Sequence, residues 1–229
     1  SISAEQHLVI VTDSWPPYVI DDGATLSGTD VDITRSVFQE MGLAIDIRIV
    51  PWKRSIAMVK HRKADGILDI SLTSVRKEFI YYPDSPVSEG VTVLFTHKDR
   101  PLNFNNTAEL ESKRTGAMLG YNYCTELDNA VFVKKAERVA TLEQNFKKLM
   151  ANRIDILVEV DSVGLYTAKK MRLDDKIAIT PNANFCRGGN YLGFSKKSGH
   201  QQLADTFSQA LNKFKATQEY ALILERYGL

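Results

Sequence analysis

The sequence predicts an α/β protein built on mostly parallel sheets, and two observations carry that prediction. Short apolar runs rich in Val, Ile and Leu alternate along the chain with amphipathic stretches of helical period. A repeated strand–helix–strand order of this kind gives a parallel sheet with helices on its faces. In addition, IAMVKHRKADGILDI and FKKLMANRIDILVEV share one plan, in which an amphipathic helix leads through an aspartate into a strand ending in an acid. We therefore expect two lobes of similar build.

The first α/β series covers the N-terminal part of the chain. We predict a helix in TDVDITRSVFQEMG, with Thr29 as its cap and Gly42 as its stop, and a second helix in WKRSIAMVKHRKADG. Strands are predicted in four apolar or alternating runs: HLVIVT, LAIDIRIV, ILDI and GVTVLFTHKD.

A second series follows the boundary segment RPLNFNNTAEL. Helices are predicted in TELDNAVFVKKA, in VATLEQNFKKLMANR with a capping box at Thr141 and Gln144, and in SVGLYTAKKM. Strands are predicted in RTGAMLG, IDILVEV, KIAIT and NYLGFSKK, and two amphipathic helices, QQLADTFSQALNKFKA and QEYALILERYG, close the chain.

Composition excludes several classes of protein. The 229 residues are 44% hydrophobic and 25% charged with a net charge of +1, which suits one large or two small globular domains without a nucleic-acid partner. No apolar run approaches the roughly 20 residues that cross a bilayer. The start of the chain has no signal peptide, so the protein is either cytoplasmic or a mature form without its leader. The four histidines lack metal-ligand spacing, so no metal is expected.

Four segments lie where ligands bind in open parallel sheets, beyond the carboxyl ends of strands. They contain aromatic rings, one arginine, hydroxyl groups and carboxylates. A zwitterionic ligand needs such a set, because arginine pairs with a carboxylate and an acid accepts an ammonium group. The segments are 14–18, 69–76, 120–124 and 159–161.

The order and spacing of several motifs resemble solute-binding protein family 3, the periplasmic amino-acid-binding components of ABC importers. The motifs are WPPY, SGTDVDITRSVFQEMG, PWKR, ADGILDISLTSVR followed by YYPDSP, GYNY, NFKKLMANRIDILVEVDS and ILERYG. The resemblance implies a two-lobed type II periplasmic-binding fold: two open, mostly parallel sheets flanked by helices, joined by a two-strand hinge. Lobe 1 would span 1–96 plus 192–229 and lobe 2 would span 97–191, with crossings near 95–98 and 190–194.

The resemblance also implies ligand-binding roles in lobe 1. The Thr-x-x-Arg turn of the family matches Thr73 and Arg76, and its arginine grips the carboxylate of the ligand. The serine that precedes the turn matches Ser71. The aromatic ring after the first strand matches Tyr18 or Trp15, and a second ring matches Trp52.

In lobe 2 the matching helix start covers Gly120, Tyr121, Asn122 and Tyr123. The acid that receives the ligand ammonium falls at Asp161, or at Glu159 if the register slips by two residues. Asp69 departs from the family, which has a small or neutral residue there. That aspartate either lines the pocket or acts as a turn former by bonding Ser71 or a backbone N–H.

These features predict a monomeric periplasmic receptor that closes on a small polar ligand, needs no cofactor and delivers the ligand to an ABC permease. Cys124 and Cys186 both fall in lobe 2 and form either a disulfide or a buried thiol pair. Two rival interpretations remain open: an enzyme with dehydratase-like chemistry from cleft acids, and a sensor module of a signalling receptor.

Overall fold

The computed structural model of the protein describes residues 7–121 and 123–229, and it divides the chain into two units. Unit 1 comprises the described residues up to Glu89 together with Gly189–Tyr227. Unit 2 comprises Gly90–Gly188 with the last two residues. Of the predicted site residues, Asn122 lies outside the described residues.

The described part of unit 1 that precedes β7 consists of short strands and three helices. Its helices are α1 Thr29–Glu40, α2 Trp52–Lys60 and α3 Ser74–Lys77. Its strands are β1 Leu8–Thr12, β2 Ile20–Asp21, β3 Leu26–Ser27, β4 Ile45–Ile49, β5 Gly66–Ile70 and β6 Ile80–Tyr81. The strand β7, Ser88–His97, then begins in unit 1 and continues in unit 2.

Unit 2 holds the next series. After a 3₁₀ turn at Thr107–Leu110, its strands are β8 Thr115–Met118, β9 Glu137–Val139, β10 Ile156–Val160 and β11 Ile177–Ile179. Its helices are α4 Thr125–Asn129, α5 Val131–Lys134, α6 Leu142–Met150 and α7 Asp161–Lys170. The strand β12, Phe185–Ser195, returns to unit 1, where α8 His200–Lys215 and α9 Gln218–Arg226 close the chain.

The sheet of unit 1 is parallel at its centre. β1 pairs in parallel with both β4 and β5, and the last residues of β12 pair antiparallel with β5 and β6. Its core is apolar, because β-branched and aromatic side chains from strands and helices meet on the buried faces. Phe38 of α1 and Phe207 of α8, for example, stack at 5.3 Å between ring centroids.

A bulge interrupts β5 just before its end. Ile67 pairs with Gly193 and Ile70 pairs with Tyr191, so β5 carries one more residue than β12 over the same interval. Asp69 lies in this interval with a left-handed φ of 64°. An extra residue in that conformation bends a strand and redirects its side chains, and such bulges recur beside functional sites.

The sheet of unit 2 repeats this arrangement. β8 pairs in parallel with β10 and with β9, and β7 pairs antiparallel with β10 and β11. Below it, a buried cluster that includes Leu127, Phe132 and Val158 packs against Cys124 and Cys186. These two cysteines form a disulfide.

Most predicted elements are confirmed, including the Thr141–Gln144 capping box, and two details are corrected. The single helix predicted in TELDNAVFVKKA is wrong, because the extended backbone of Ala130 separates α4 from α5. Thr29 does not cap α1. Gly28 occupies the cap position, and the Thr29 hydroxyl donates instead to Asp30 at 2.9 Å.

No helix in residues 7–121 and 123–229 combines the length and apolar character that a membrane span requires.

Candidate functional site

The turn after β5 presents an arginine whose orientation is set locally. Thr73 caps the short helix α3 by accepting the Arg76 N–H at 3.2 Å. The Arg76 guanidinium donates through Nη1 to the Ser71 hydroxyl at 2.5 Å and to the Ser71 carbonyl at 3.2 Å. Ser71 and Thr73 are exposed and Arg76 is partly exposed. Within the described chain, Arg76 Nε and Nη2 form no hydrogen bond and no carboxylate pairs with them.

Aromatic side chains border this turn in unit 1. Tyr82 donates its hydroxyl to the Ser71 carbonyl at 2.9 Å, and its ring meets Tyr191 edge to face at 5.4 Å. Burial raises the pKa of Tyr82 to about 12 despite the nearby Arg76 charge, so the hydroxyl remains a donor at neutral pH. Trp52, partly exposed at the start of α2, packs against the same buried apolar cluster of unit 1 as Tyr82 and Tyr191; this cluster includes Val11, Ile67 and Ile70.

The two rings predicted after β1 differ in exposure. Tyr18 is 1% exposed and belongs to the core, whereas Trp15 remains partly exposed. Their centroids lie 4.7 Å apart. Asp13 links this segment to α2, because one of its oxygens accepts the Ser14 N–H and the other accepts the Trp52 N–H. Of the pair, Trp15 has the ring surface that a ligand could reach.

Asp69 is partly exposed as a residue, but its carboxyl group points into unit 1. Both of its carboxyl oxygens are buried, and its carboxyl group contacts that of Asp30 in α1, which is fully buried. Sequence reasoning missed Asp30, because a polar residue in the first turn of a helix normally indicates only a favourable helix terminus. The one signal in the sequence was the unusual acid at position 69 itself.

In unit 2, a pair of tyrosines follows β8 and the left-handed Gly120, whose φ is 77°. Tyr123 accepts the Met118 N–H and donates to the Val158 carbonyl, while Tyr121 is 39% exposed. Burial raises the pKa of both hydroxyls, that of Tyr123 to about 12. Arg138 donates to the carbonyls of Met118 and Tyr121, which holds the loop against the sheet.

Glu159 is a buried acid at the end of β10. It is 1% exposed, one carboxyl oxygen accepts the Val160 N–H, and the other forms no hydrogen bond with any described residue. Burial raises the pKa of this carboxyl to about 7. Its charge in turn helps to raise the pKa of the Tyr121 and Tyr123 hydroxyls, so these three groups share one environment.

Asp161 differs from Glu159 in being partly exposed. It opens α7, and its Oδ1 accepts the N–H groups of Val91 at 3.2 Å and Ser162 at 2.8 Å. Those two donors fix the orientation of the carboxyl group. Asp161 is thus a carboxyl group that backbone donors orient at the surface of unit 2, whereas Glu159 is an interior group.

The predicted residues therefore form a separate group in each unit. In unit 1 Ser71, Thr73 and Arg76 form one hydrogen-bonded turn, and Trp52 shares an apolar cluster with Tyr82 beside it. In unit 2 Tyr121 and Tyr123 lie near Glu159. No group of three or more His, Cys, Asp or Glu residues able to hold a metal ion is found in the part of the chain that the structure describes.

Comparison with known proteins identifies the family. Residues 8–229 match the family described as bacterial extracellular solute-binding proteins, family 3. The chain belongs to this family. Two curated relatives resemble it at low identity: a probable amino-acid ABC transporter periplasmic-binding protein of Sinorhizobium fredii (23% identical, 96% of this chain, 76% of the relative) and the L-cystine-binding protein TcyA of Bacillus subtilis (22%, 94% and 78%).

Solved structures of similar proteins agree on the fold. Substrate-binding domain 2 of Lactococcus lactis GlnP, in an open conformation, superposes with a TM-score of 0.80 at 21% identity, over 99% of this chain and 97% of that one. A histidine kinase sensor domain similar to periplasmic binding proteins gives 0.70 at 20% identity, over 97% and 96%. The predicted type II periplasmic-binding fold of this family 3 member is confirmed.

Proposed function

We propose that the protein is a periplasmic receptor that binds an amino acid or a related small carboxylate and delivers it to an ABC permease. Membership of the family and the names of both relatives support amino-acid binding as the general function. The carboxylate, the delivery step, the periplasmic location, the monomeric state and the lack of enzymatic activity are our proposal. The disulfide between Cys124 and Cys186 favours an oxidising compartment such as the periplasm.

The Arg76 turn is the observation that carries the carboxylate assignment. The guanidinium is held by Ser71 through Nη1 while Nε and Nη2 are left for another acceptor. A planar fork with two free donors on one edge matches the two oxygens of a carboxylate. Because Ser71 already orients the side chain, less side-chain entropy is lost when the ligand binds.

Each unit carries its own group of proposed ligand-binding residues. In unit 1 Ser71 and Thr73 supply hydroxyl groups, and Trp15 and Trp52 supply flat apolar walls, which commonly line small-molecule sites. In unit 2 we assign the ligand ammonium to Asp161, because its carboxyl group is partly exposed and two backbone N–H groups orient it. Gly120, Tyr121 and Tyr123 form the accompanying loop.

Replacement of Arg76 tests the assignment. Thermal-shift screening against amino acids, L-cystine and simple organic acids would first identify a ligand; ligand at 100 times its Kd stabilises a protein by about 2.7 kcal/mol. Isothermal titration of Arg76→Ala should then show a loss of about 2–5 kcal/mol in binding free energy, the usual cost of removing one partner of a charged pair. Lys77→Ala, one residue along the same helix, is the matched control and should bind as the unchanged protein does. Equal affinity in Arg76→Ala would refute the carboxylate clamp.

A ligand-sensing module is a second candidate function. The similarity to a histidine kinase sensor domain shows the shared fold, and binding of the same ligand class would serve either role. Ligand uptake separates the two. Cells that lack the gene should import the labelled ligand more slowly if the protein is a transport receptor, and at an unchanged rate if it is a sensor.

A further inference from the structure

The carboxyl groups of two aspartates of unit 1 meet in its interior, and no basic side chain that the structure describes is in direct contact with either. Asp30 is the second residue of α1 and is fully buried, and the Asp69 carboxyl oxygens are buried beside it at the bulge of β5. The two carboxyl groups are in hydrogen-bond contact. We call Asp30 and Asp69 the carboxyl pair. Two adjacent carboxylates cannot both ionise in such a site without strong repulsion.

The hydrogen-bond donors around the carboxyl pair are unequally distributed. Asp30 Oδ1 accepts the Thr29 hydroxyl at 2.9 Å, and Oδ2 accepts the Ser88 hydroxyl at 2.6 Å. Ser88 in turn accepts the Asn190 side-chain amide at 3.0 Å. Neither oxygen of Asp69 receives a donor from any residue that the structure describes. A proton carried by Asp69 and donated to Asp30 satisfies the one group that otherwise lacks a partner.

The surrounding charges favour the same distribution. On α8, Lys215 donates to the Pro86 carbonyl, and its charge favours the Asp30 anion. The start of α1 also favours an anion at Asp30. The charges of Asp30 and of Glu89 in β7 both act on Lys215 and on the hydroxyl of Tyr220 in α9. Burial and the neighbouring Asp30 charge raise the pKa of Asp69 well above its usual range.

We infer that Asp69 is a protonated acid that donates to Asp30, and that this bond positions the Ser71–Arg76 turn for ligand binding. Asp69 adopts a left-handed backbone conformation, which costs a non-glycine residue energy unless its surroundings stabilise it. The carboxyl pair provides that stabilisation, and the turn begins two residues later. Asp69 is thus a positioning residue: its carboxyl group lies away from solvent, and it acts on the ligand through Ser71 and Arg76.

This inference rests on the proposed function only in assigning the Ser71–Arg76 turn to ligand binding; the shared proton does not depend on it. When Asp69 loses its proton, two negative charges are left in contact and the bulge loses its internal hydrogen bond. The folded state holds this proton above pH 3.8, where an unfolded aspartate has lost it, so rising pH destabilises unit 1 and loosens the turn.

Replacement of Asp69 tests the shared proton without any ligand. Asp69→Asn keeps the shape, a donor toward Asp30 and tolerance of positive φ, but cannot ionise. Asp69→Gly also accepts the backbone conformation but removes the side chain, and it serves if the asparagine variant does not fold. Asp205→Asn replaces an exposed acid of α8 in the same unit and is the control. Urea unfolding between pH 5 and pH 9 gives the folding equilibrium constant of each protein.

As pH rises, the folding equilibrium constant should fall in the unchanged protein and in Asp205→Asn. It should fall less steeply in either Asp69 variant. The difference should approach tenfold per pH unit, which corresponds to one proton, wherever Asp69 is protonated in the folded state alone. Equal slopes in the unchanged protein and both variants would overturn the shared proton.

Amide hydrogen exchange of the Arg76 and Lys77 N–H groups, both of which donate to Thr73, tests the positioning role. After correction for intrinsic exchange, protection should fall with pH in the unchanged protein, persist in Asp69→Asn and be low at every pH in Asp69→Gly. Protection that is independent of pH in the unchanged protein would overturn this role. A failure to bind L-cystine or any amino acid would refute the proposed function and leave both ligand-free results standing.

Discussion

Two stretches of the chain, one in each unit, have the same order of helix, turn and strand, and their backbone conformations first differ at one position. The helices α2 and α6 begin and end 90 residues apart, at Trp52–Lys60 and Leu142–Met150. Each is followed by a residue of left-handed conformation, Arg62 and Asn152, again 90 residues apart. A short turn then leads into β5 or β10. This correspondence confirms the repeat that the sequence motifs indicate.

The strand entrances correspond down to individual hydrogen bonds. Asp65 donates its N–H to the Val9 carbonyl and accepts the Val9 N–H on Oδ2, both at 2.8 Å. Asp155 does the same with Arg114, at 2.7 Å and 2.8 Å. In each unit an aspartate side chain thus completes the start of a parallel strand pair. Both aspartates therefore have a structural role at the strand entrances.

The correspondence between the two units ends at Asp69 and Glu159, four residues beyond Asp65 and Asp155. Asp69 takes a left-handed conformation in a bulge, and α3 begins only at Ser74. Glu159 remains in a regular strand, paired with Val93 of β7, and α7 begins two residues later. The extra residue in β5 therefore turns its acid toward Asp30 and lengthens the following turn to include Ser71 and Arg76. One local change in backbone conformation gives the two units different chemistry at the same point of the repeat.

Loss of the disulfide should produce the largest effect, and in unit 2 alone. Cys124 and Cys186 are 62 residues apart, so replacing both by serine should cost about 4 kcal/mol through the greater freedom of the unfolded chain. Urea unfolding followed by far-UV circular dichroism measures this loss. Both tryptophans, Trp15 and Trp52, belong to unit 1, so their fluorescence follows the other unit. A fluorescence transition that shifts as much as the dichroism transition would show that the disulfide stabilises both units.

Replacing Glu159 by glutamine should remove a pH dependence that belongs to unit 2. Burial raises the pKa of Glu159 from 4.5 to about 7, so the folded state retains a proton that the unfolded state loses over this range. Stability is therefore fully present below pH 4.5 and declines as pH rises to about 7. A shift of this size corresponds to about 3 kcal/mol, since each pKa unit is worth about 1.4 kcal/mol.

Urea unfolding at pH 5 and pH 8 measures this difference. Glu159→Gln should exceed the stability of the unchanged protein only at the higher pH. Glu111→Gln, at an exposed position of the same unit, is the control and should follow the unchanged protein at both values. Parallel pH profiles in the unchanged protein and Glu159→Gln would mean that the carboxyl is ionised throughout.

Sequence patterns predicted the features of the fold that depend on interactions between nearby residues. The Thr73 cap, the Thr141 capping box and the repeated strand entrances all depend on residues a few positions apart, or on one aspartate beside a neighbouring strand. The ligand-binding roles themselves, from Trp15 to Asp161, stay predictions.

Tertiary contacts determine the features that the sequence did not reveal. Asp69 meets Asp30 across 39 positions, and no periodic pattern links an acid in a strand to one in a helix. The extended Ala130 that separates α4 from α5 is likewise invisible in a helical pattern of apolar residues. The alternatives for the first aromatic ring, Tyr18 or Trp15, differ in burial, which depends on packing around both rings.

The smallest expected effect is the difference in stability lost on replacing Asp65 or Asp155, and it should follow the burial of their ion pairs. Asp65 accepts Lys197 at 2.9 Å with His200 at 3.5 Å, and its side chain is 15% exposed. Asp155 accepts Arg114 at 2.8 Å with 31% of its side chain exposed, so solvent screens this pair more strongly. Replacing Asp65 by alanine should cost about 2–3 kcal/mol, and replacing Asp155 about 1–2 kcal/mol.

Urea unfolding at pH 7 compares the two variants, with Asp205→Ala as the exposed control. The Arg114 hydrogen bond lowers the pKa of Asp155, so the contribution of that aspartate is present above pH 3.8 and is lost as pH falls through its folded-state pKa. The deficit of Asp155→Ala should accordingly shrink below pH 3.8. A larger deficit at neutral pH in Asp155→Ala than in Asp65→Ala would mean that the two donors of the Arg114 guanidinium outweigh burial. The correspondence between the two strand entrances would then be one of geometry without equal energy.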